Sequence, residues 1–282
     1  MQGSVFIVID TEKFSEVCEH PDVNIKMKQG FVLPYYFQSA SSSDASSFPL
    51  IISLHAMRSN RTVPKSRFKE WNFLYPFDCY GYKDEGSFWA AGYPKLPLMD
   101  TIVEMVERYR EKNLFNGQVY ISGSSSSGIA CVYLANKLKA EAVYLNVPVL
   151  NSATLDVLSN SPLARYGSIF GGTDINETAT KYIYSNMKTR FHIVDQRFGF
   201  KDFVAVNSFQ FVGRCLELGI NVHYEILPTS GHSVNYPMSH VLELFSKYPN
   251  NGRVLSTGFP ALVGEDNILI DEVEKLLEPV EV

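Results

Sequence analysis

The sequence predicts an α/β fold in which a mainly parallel central sheet carries helices on both faces. Short runs rich in β-branched and aromatic residues alternate with amphipathic stretches along most of the 282 residues, as strands alternate with helices in this class. Several runs are almost continuously apolar, which is typical of strands buried on both faces. No linker-like stretch divides the chain, so residues 1–282 are predicted to form a single domain.

The first half of the chain is predicted to be mostly strand. The predicted strands are residues 5–9, 30–37, 49–54 and 72–75. The first two could form an antiparallel pair, and the Ser-rich residues 39–47 predict a polar loop. Apolar residues at helical spacing predict a helix over residues 98–109.

The second half repeats the strand and helix alternation. The predicted strands are residues 119–121, 142–147, 191–194 and 222–227, and the predicted helices are residues 129–140 and 203–218. Residues 148–186 form a long irregular region with several glycines. We expect this region to be an insertion or lid above the carboxyl ends of the strands.

Composition excludes some classes of protein. The formal net charge of −5 argues against a nucleic-acid binder, because neutralising phosphates requires a basic face. The four cysteines are widely spaced, so we expect buried thiols and no metal site. No window has the length of a membrane span, and the first residues lack a signal-peptide pattern. The expectation is a cytoplasmic protein whose partners are small-molecule esters or glycans.

Four serines occupy a predicted corner between a strand and a helix. Gly123 and Gly128 flank them, the apolar residues 119–121 precede them, and the helix-like residues 129–140 follow. A sharp turn at such a corner projects a nucleophilic hydroxyl clear of the sheet, and its usual pattern is G-x-S-x-G. The corner is therefore the predicted position of a nucleophile.

Two of these serines fit the pattern in part. With Ser125 as the nucleophile, Gly123 fills the first glycine position but Ser127 stands in the second. With Ser126, Gly128 fills the second position and the first glycine is missing. We favour Ser125, because a nucleophile two residues after the strand-ending glycine lands at the apex of the turn. The alternative for the whole corner is a Ser-rich helix cap without catalysis.

His232 is the predicted general base. A serine nucleophile needs a base that removes its proton and a carboxylate that orients the base. Among the six histidines, His232 alone follows the last predicted strand in a short glycine-containing loop. Its alternative role is a loop histidine bonded to the backbone.

Two aspartates are candidates for the orienting acid. Asp195 and Asp202 both follow the predicted strand of residues 191–194. Asp202 is preferred because it precedes a helix, whereas Asp195 comes at the strand end, too early to reach the histidine loop. The alternative role of Asp202 is a carboxylate that interacts with the helix dipole.

The oxyanion of an acyl-transfer reaction needs backbone N–H donors. The N–H of Ser126, directly after the nucleophile and at a helix N-terminus, is the first predicted donor. The second is predicted to come from Ala56 or Met57, after the strand of residues 49–54. No metal ligand is expected at this site.

Two groups of residues are candidates for substrate binding. Arg58 begins a locally basic segment that also contains Arg61, Lys65, Arg67 and Lys69. This segment predicts either recognition of an anionic substrate or a solvated face, and the second is favoured. Tyr80 and Trp89 could form an aromatic wall that stacks on a sugar, or they could pack in the core.

With Gly123-Ser124-Ser125, Asp202 and Gly231-His232 in this order, the chain resembles the α/β-hydrolase superfamily over most of its length. Through residues 80–81, 86–89, 122–125 and 230–233 it is similar to bacterial capsule polysaccharide O-acetyltransferases and to the acetyltransferase-like protein of the accessory Sec system. The resemblance implies the α/β-hydrolase fold and a Ser-His-Asp triad.

The resemblance also implies acetyl chemistry on a carbohydrate. We expect a serine-dependent acyl-transfer enzyme with an acyl-enzyme intermediate, either an acetyl esterase or an O-acetyltransferase of polysaccharide. An esterase would need no cofactor, whereas a transferase would use acetyl-CoA as its acyl donor. The alternative from another class is a non-catalytic α/β-hydrolase-like module that binds within a secretion or glycan-processing assembly.

Overall fold

The structure is a computed structural model. It describes residues 23–28, 30–56, 67–80, 86–91, 95–152, 177–198, 203–230 and 236–247. The predicted strand of residues 5–9 and most of the predicted insertion lie outside these ranges.

One sheet organises the described part of the chain. Its eight strands, numbered in chain order, are β1 Val23–Lys28, β2 Phe31–Gln38, β3 Leu50–Leu54, β4 Asn72–Pro76, β5 Val119–Ser124, β6 Ala142–Asn146, β7 Arg190–Phe198 and β8 Val222–Ser230. Their order across the sheet is β1-β2-β4-β3-β5-β6-β7-β8. The pairings β1 with β2 and β2 with β4 are antiparallel, and the others are parallel. The predicted mainly parallel sheet is confirmed.

The described ranges contain four α-helices, and the first three match the helices that the sequence predicts. They are α1 Pro97–Glu111, α2 Gly128–Leu138, α3 Phe203–Glu217 and α4 Met238–Lys247. Helix α1 begins with Pro97, which suits the first helical position because proline has no N–H to leave unbonded. Lys139 ends α2 in the left-handed conformation.

Helices cover both faces of the sheet. Side chains alternate between the faces of a strand, so Leu50 and Ile52 of β3 pack with α1, α2 and α3. Ile51 lies between them and faces the other side, where it belongs to the cluster that contains Val241 and Phe245 of α4. The predicted two-faced architecture is therefore confirmed.

The two edges of the sheet differ from the sequence prediction. Strand β1 was not predicted, although Val23–Lys28 alternates apolar and polar residues as a half-exposed strand does. Strands β7 and β8 pair as far as Phe198 and Ser230, beyond the predicted ends at residues 194 and 227. Pro228 fits inside β8 because an edge strand leaves one row of N–H groups outside the ladder.

Two further predictions concern the cysteines and the absence of a membrane-spanning helix. Cys79, Cys131 and Cys215 are buried free thiols, as the sequence indicated. Burial raises the pKa of the Cys131 and Cys215 thiols to about 12, so both stay protonated. Within the described ranges, no helix has both the length and the hydropathy that crossing a membrane requires.

Candidate active site

The carboxyl ends of the parallel strands bring the candidate residues to one edge of the sheet. Leu54 of β3 pairs with Gly123 of β5, and Ser124 pairs with Asn146 of β6. Asn146 in turn pairs with Val194 of β7. Ala56 and Ser125 each come two residues after the pair Leu54 and Gly123. Asp195 follows Val194 on β7, the second strand from β5, which at about 4.8 Å per strand is about 10 Å across the sheet.

Ser125 sits at a strained turn between β5 and α2. Its backbone φ is +50°, in the left-handed region that costs a non-glycine residue about 1–2 kcal/mol. Ser125 to Ser127 form a short 3-10 turn before the helix begins at Gly128. Ser125 is half-buried, whereas Ser126 is 4% and Ser127 0% exposed. Strain and exposure thus coincide at Ser125, the residue chosen from sequence.

Ser127 holds the residue before Ser125 in place. Its hydroxyl accepts a hydrogen bond from the Ser124 N–H and donates one to the Ser124 carbonyl, both at 2.8 Å. These bonds form a capping box over the short 3-10 turn of residues 125–127. A serine fits where the pattern has glycine because its side chain folds back on the turn.

Glycine is required on both sides of the serines. A Cβ on Gly123 would lie 2.3 Å from the Cys131 Sγ and 2.5 Å from the Ser127 Oγ. A Cβ on Gly128 would lie 2.4 Å from the carbonyl oxygen of Val149. The second glycine of G-x-S-x-G allows backbone to pack closely against the turn. Here Gly128 has that role, one position later than the usual spacing from the nucleophile.

His55 fixes the backbone beside the serine corner. Its Nε2 accepts a hydrogen bond from the Asp78 N–H, and its Nδ1 contacts the Ala56 carbonyl, both at 2.8 Å. An Nε2 that accepts makes the ring neutral with its proton on Nδ1. The imidazole therefore ties Ala56, a predicted oxyanion donor, to the end of β4.

Asp78 is a buried anchor that the sequence analysis missed. It is 1% exposed, and its carboxylate accepts backbone N–H bonds from Ser87 and Trp89 at 2.6 and 2.8 Å. The Ser87 hydroxyl bonds the same carboxylate. Such charge-assisted bonds are about twice as strong as neutral ones. Its signal was a lone carboxylate directly after a buried strand.

Tyr80 and Trp89 do not form the predicted sugar-stacking wall. Trp89 is 1% and Tyr80 7% exposed, and both belong to the main core cluster. The Tyr80 hydroxyl accepts a bond from the Val32 N–H and donates one to its carbonyl. The prediction for these rings was wrong because their polar atoms bond protein backbone and their faces pack in the core. Phe88 is less buried and packs against Val147 and Val149.

Asp195 lies inside β7 and is fully buried. The expectation that it directly follows the strand was wrong, since β7 continues to Phe198. Its Oδ2 accepts a bond from the Tyr224 hydroxyl at 2.9 Å, and Ser208 bonds the same carboxyl group. Its Oδ1 has no hydrogen-bond partner among the described residues. Burial raises the pKa of this carboxyl above its ordinary value of 3.8.

Replacing Asp195 with Asn is expected to change how stability depends on pH. A raised pKa means that the folded protein binds this proton more tightly than the unfolded chain does. The stability contributed by Asp195 is thus complete below pH 3.8 and is lost as pH rises through the raised pKa. Asp195→Asn should therefore gain in melting temperature over wild type as pH rises above the ordinary pKa of 3.8.

Asp44→Asn is the control for this measurement. Ser46 and Ser47 hydroxyls hold the pKa of the exposed Asp44 below its ordinary value. Wild type should then gain over Asp44→Asn as pH rises, which is the opposite sign. A melting-temperature difference between Asp195→Asn and wild type that stays constant with pH would contradict the assignment.

His232, Asp202, Met57 and Arg58 lie outside the described residues, and their assigned roles stay predictions. Their neighbours along the chain are described. Phe198 of β7 pairs with Ser230 of β8. Asp202 and His232 come four and two residues after this last pair.

His192 is a buried titratable group on β7 that takes no part in the proposed site. His192 is buried at the start of β7, and its Nε2 accepts a bond from the Arg190 Nε at 2.9 Å. Burial, helped by Arg190 and His223, lowers its pKa to about 3, so it stays neutral. No group of three or more His, Cys, Asp or Glu residues in the described ranges could hold a metal ion.

Several solved structures share this fold at low sequence identity. Neither a protein-family model nor a curated protein matches the chain. The capsule O-acetyltransferase of Neisseria meningitidis serogroup A is 16% identical, with a TM-score of 0.56 over 79% of this chain and 95% of that one. A mutant of that protein in complex with CoA gives the same TM-score at 14% identity, over 80% and 94% of the two chains.

Esterases and a peptidase are similar to the same degree. The butyrate-bound esterase Est2 of Thermogutta terrifontis is 12% identical, with a TM-score of 0.54 over 80% of this chain and 93% of that one. The acylaminoacyl peptidase of Pyrococcus horikoshii is 14% identical, with a TM-score of 0.61 over 93% of this chain but 45% of that one. Sheet order, the turn at Ser125 and these likenesses agree: the protein has the α/β-hydrolase fold.

Proposed function

We propose that the protein is a serine-dependent acyl-transfer enzyme. The observation that carries this proposal is the strained, half-buried Ser125 between β5 and α2. Backbone strain persists where the surrounding structure enforces it, and it clusters at functional sites. A left-handed serine between a parallel strand and a helix is the geometry of a nucleophile that projects from the sheet.

In this proposal Ser125 attacks the carbonyl carbon of an ester or thioester. His232 takes the hydroxyl proton as the Oγ–C bond forms, and then donates it to the leaving group as the acyl-enzyme forms. Asp202 orients His232. Strands β7 and β8 are neighbours and pair as far as Phe198 and Ser230. This extension supports the roles of Asp202 and His232, because each follows the end of one of the two strands closely in sequence.

Backbone N–H groups of Ser126 and of Ala56 or Met57 would stabilise the oxyanion. The register of β3 against β5 supports Ala56, since Ala56 and Ser125 each follow the pair Leu54 and Gly123 by two residues. The contact of the His55 ring with the Ala56 carbonyl supports Met57, because that carbonyl belongs to the peptide unit that carries the Met57 N–H. The N-terminal end of α2 adds a favourable dipole at Ser126.

Water or a sugar hydroxyl would complete the reaction by attacking the acyl-enzyme. The likeness to a capsule O-acetyltransferase supports a carbohydrate acceptor, and its complex with CoA supports acetyl-CoA as donor if the enzyme is a transferase. The likeness to a butyrate-bound esterase supports simple esters as substrates and no cofactor. Arg58 remains a candidate for binding an anionic substrate.

Labelling with a fluorophosphonate probe tests the proposal. Such probes phosphorylate an activated serine, so we expect one adduct per chain, mapped by peptide mass spectrometry to Ser125. Absence of an adduct on folded protein would favour the alternative, a non-catalytic module that binds within a larger assembly. Release of free thiol from acetyl-CoA, with and without a glycan acceptor, separates transferase from esterase.

The same labelling assay separates the two candidate acids. Asp202→Asn should slow labelling by roughly 10³- to 10⁴-fold, because His232 loses the group that sets its tautomer. Asp195→Asn should label at nearly the wild-type rate, since the replacement keeps an oxygen that can accept bonds from Tyr224 and Ser208 and so keeps both side chains in place. The reverse result would make Asp195 the acid.

A further inference from the structure

Asn207 of α3 joins that helix to the backbone beside Ser125. It is 1% exposed, and its side chain bonds three backbone groups of the segment after β6. Nδ2 donates to the Pro148 carbonyl at 2.5 Å. Oδ1 accepts from the N–H groups of Leu150 and Asn151 at 2.6 and 3.1 Å. These bonds bracket Val149 on both sides.

Val149 is the direct neighbour of the serine corner. Its N–H donates to the Ser125 carbonyl at 2.7 Å. Its own carbonyl oxygen lies where a Gly128 side chain would otherwise be, 2.4 Å from an ideal Cβ. The segment therefore contacts the turn at its apex and at the first residue of α2. A shift of Val149 would move the Ser125 peptide with it.

This segment is itself strained and needs an external clamp. Val147, a β-branched residue, has a φ of +43°, which is a rare and costly conformation. Its N–H bonds the Val194 carbonyl of β7 at 2.7 Å. Such a conformation persists only when neighbouring bonds enforce it. Asn207 supplies bonds of this kind from the next residue onward.

A buried network fixes the orientation of the Asn207 amide. Its Nδ2 also donates to the Ser208 Oγ at 3.1 Å, and Ser208 bonds Asp195. Tyr224 holds the same carboxyl group from β8. With Nδ2 facing the Pro148 carbonyl and Oδ1 facing two N–H donors, a flipped amide would lose its three bonds to the backbone.

We propose that Asn207 is a positioning residue that holds Ser125 in its reactive conformation through Val149. This inference rests on the proposed function, because it concerns the geometry of the nucleophile. Asn207 acts on Ser125 through the backbone and contacts neither substrate nor reacting atoms. Loss of the Asn207 bonds should lower the reactivity of Ser125, since a displacement of about 1 Å at a nucleophile can lower a rate by about 10²-fold.

Asn72 offers a matched control. It is 0% exposed and bonds the backbone in the same way: Oδ1 accepts from the Ala40 N–H, and Nδ2 donates to the Ala45 and Phe48 carbonyls. Asn72 is the first residue of β4, whereas the serine corner follows the last residue of β5, so the two lie at opposite ends of the parallel strands. Its loss should lower stability as much as the loss of Asn207 does, without moving Ser125.

The experiment compares fluorophosphonate labelling rates and melting temperatures of Asn207→Ala, Asn72→Ala and wild type, well below unfolding. We expect both variants to melt lower, Asn207→Ala to label roughly 10- to 100-fold more slowly, and Asn72→Ala to label at the wild-type rate. Asn207→Asp keeps the acceptor and loses the donor, so it should label at an intermediate rate. It also keeps the test available if Asn207→Ala does not fold.

Two outcomes overturn the inference while leaving the proposed function intact. In the first, wild type is labelled at Ser125 and Asn207→Ala or Asn207→Asp labels just as fast. In the second, Asn72→Ala slows labelling as much as Asn207→Ala does, which would mean that general loosening is the cause. Wild-type protein that is folded but unlabelled would overturn the proposed function and this inference together.

Discussion

Ser125→Ala is expected to lower ester hydrolysis by roughly 10⁴- to 10⁶-fold, while Ser126→Ala stays within a few-fold of wild type. The reason is that the two serines offer different atoms to the reaction. Ser125 would supply its hydroxyl from a half-buried position, whereas Ser126 is 4% exposed and would supply its backbone N–H. An alanine at residue 126 keeps that N–H.

The comparison uses hydrolysis of p-nitrophenyl acetate at matched concentrations of folded protein. Circular dichroism and melting temperature confirm that each variant is folded. Comparable losses of hydrolysis rate in Ser125→Ala and Ser126→Ala would contradict the assignment of different roles to the two serines. Loss in Ser126→Ala alone would place the nucleophile there.

Ser125→Gly adds a readout of the strain. Both Ser125→Ala and Ser125→Gly remove the hydroxyl, but glycine adopts a φ of +50° at little cost. We therefore expect Ser125→Gly to be more stable than Ser125→Ala by about 1 kcal/mol, measured by urea unfolding. Equal stabilities would mean that the left-handed backbone at Ser125 carries little strain.

Local sequence signals predicted the parts of the site that lie within one strand-to-helix unit. The apolar run of β5, the flanking glycines and the following helix are neighbours in sequence, so Ser125 could be placed from their spacing. The order of later strands and helices followed from hydrophobic periodicity in the same way. These features depend on contacts over a few residues only.

The supporting residues of the site depend on contacts between distant parts of the chain. Asn207 bonds backbone groups 56 to 59 residues earlier, and Asp78 bonds groups 9 and 11 residues later. No period or motif encodes such pairs. One signal was available: Asn207 and Ser208 form a polar pair between the apolar residues Val206 and Phe209, and both polar side chains are buried.

The ends of β7 and β8 were underestimated for a related reason. Asp195 and Gln196 interrupt the apolar run of β7, which favours ending the strand at residue 194. In the structure, pairing with β8 continues, and Tyr224 and Ser208 satisfy the Asp195 carboxyl group in part. A polar residue inside a strand is tolerated when a neighbouring element bonds it. That partner cannot be read from the strand itself.

Gly128→Ala is expected to destabilise the protein by about 3 kcal/mol, the upper range for overpacking a core. The new methyl group would lie 2.4 Å from the Val149 carbonyl oxygen. That oxygen belongs to backbone held by the Ser125 carbonyl and the Asn207 amide on either side, so it cannot move without breaking those bonds. We also expect slower labelling of Ser125, because the obstructed atom is part of the segment that positions it.

Gly213→Ala is the matched control for a helical glycine. It lies in α3, and no atom stands within 4 Å of its added Cβ. Because alanine loses less backbone entropy than glycine in a helix, stability should rise by about 0.5–1 kcal/mol. Urea unfolding of both variants measures the contrast, and a Gly128→Ala protein as stable as wild type would contradict the close packing.

Gly123→Ala separates two kinds of obstruction at the same turn. Its new methyl would meet the Cys131 Sγ and the Ser127 Oγ, which are side-chain atoms. Adding Cys131→Ala to Gly123→Ala should therefore recover part of the stability that Gly123→Ala loses. The closest obstruction to Gly128→Ala is the Val149 carbonyl oxygen, a backbone atom that no side-chain deletion removes. If the double variant is as unstable as the sum of the single ones, the Cys131 thiol does not obstruct that methyl group. At residue 128 the closest obstruction is a backbone atom, the Val149 carbonyl oxygen at 2.4 Å, with the Pro148 Cβ next at 2.8 Å. Glycine is therefore needed at residue 128, one position after Ser127.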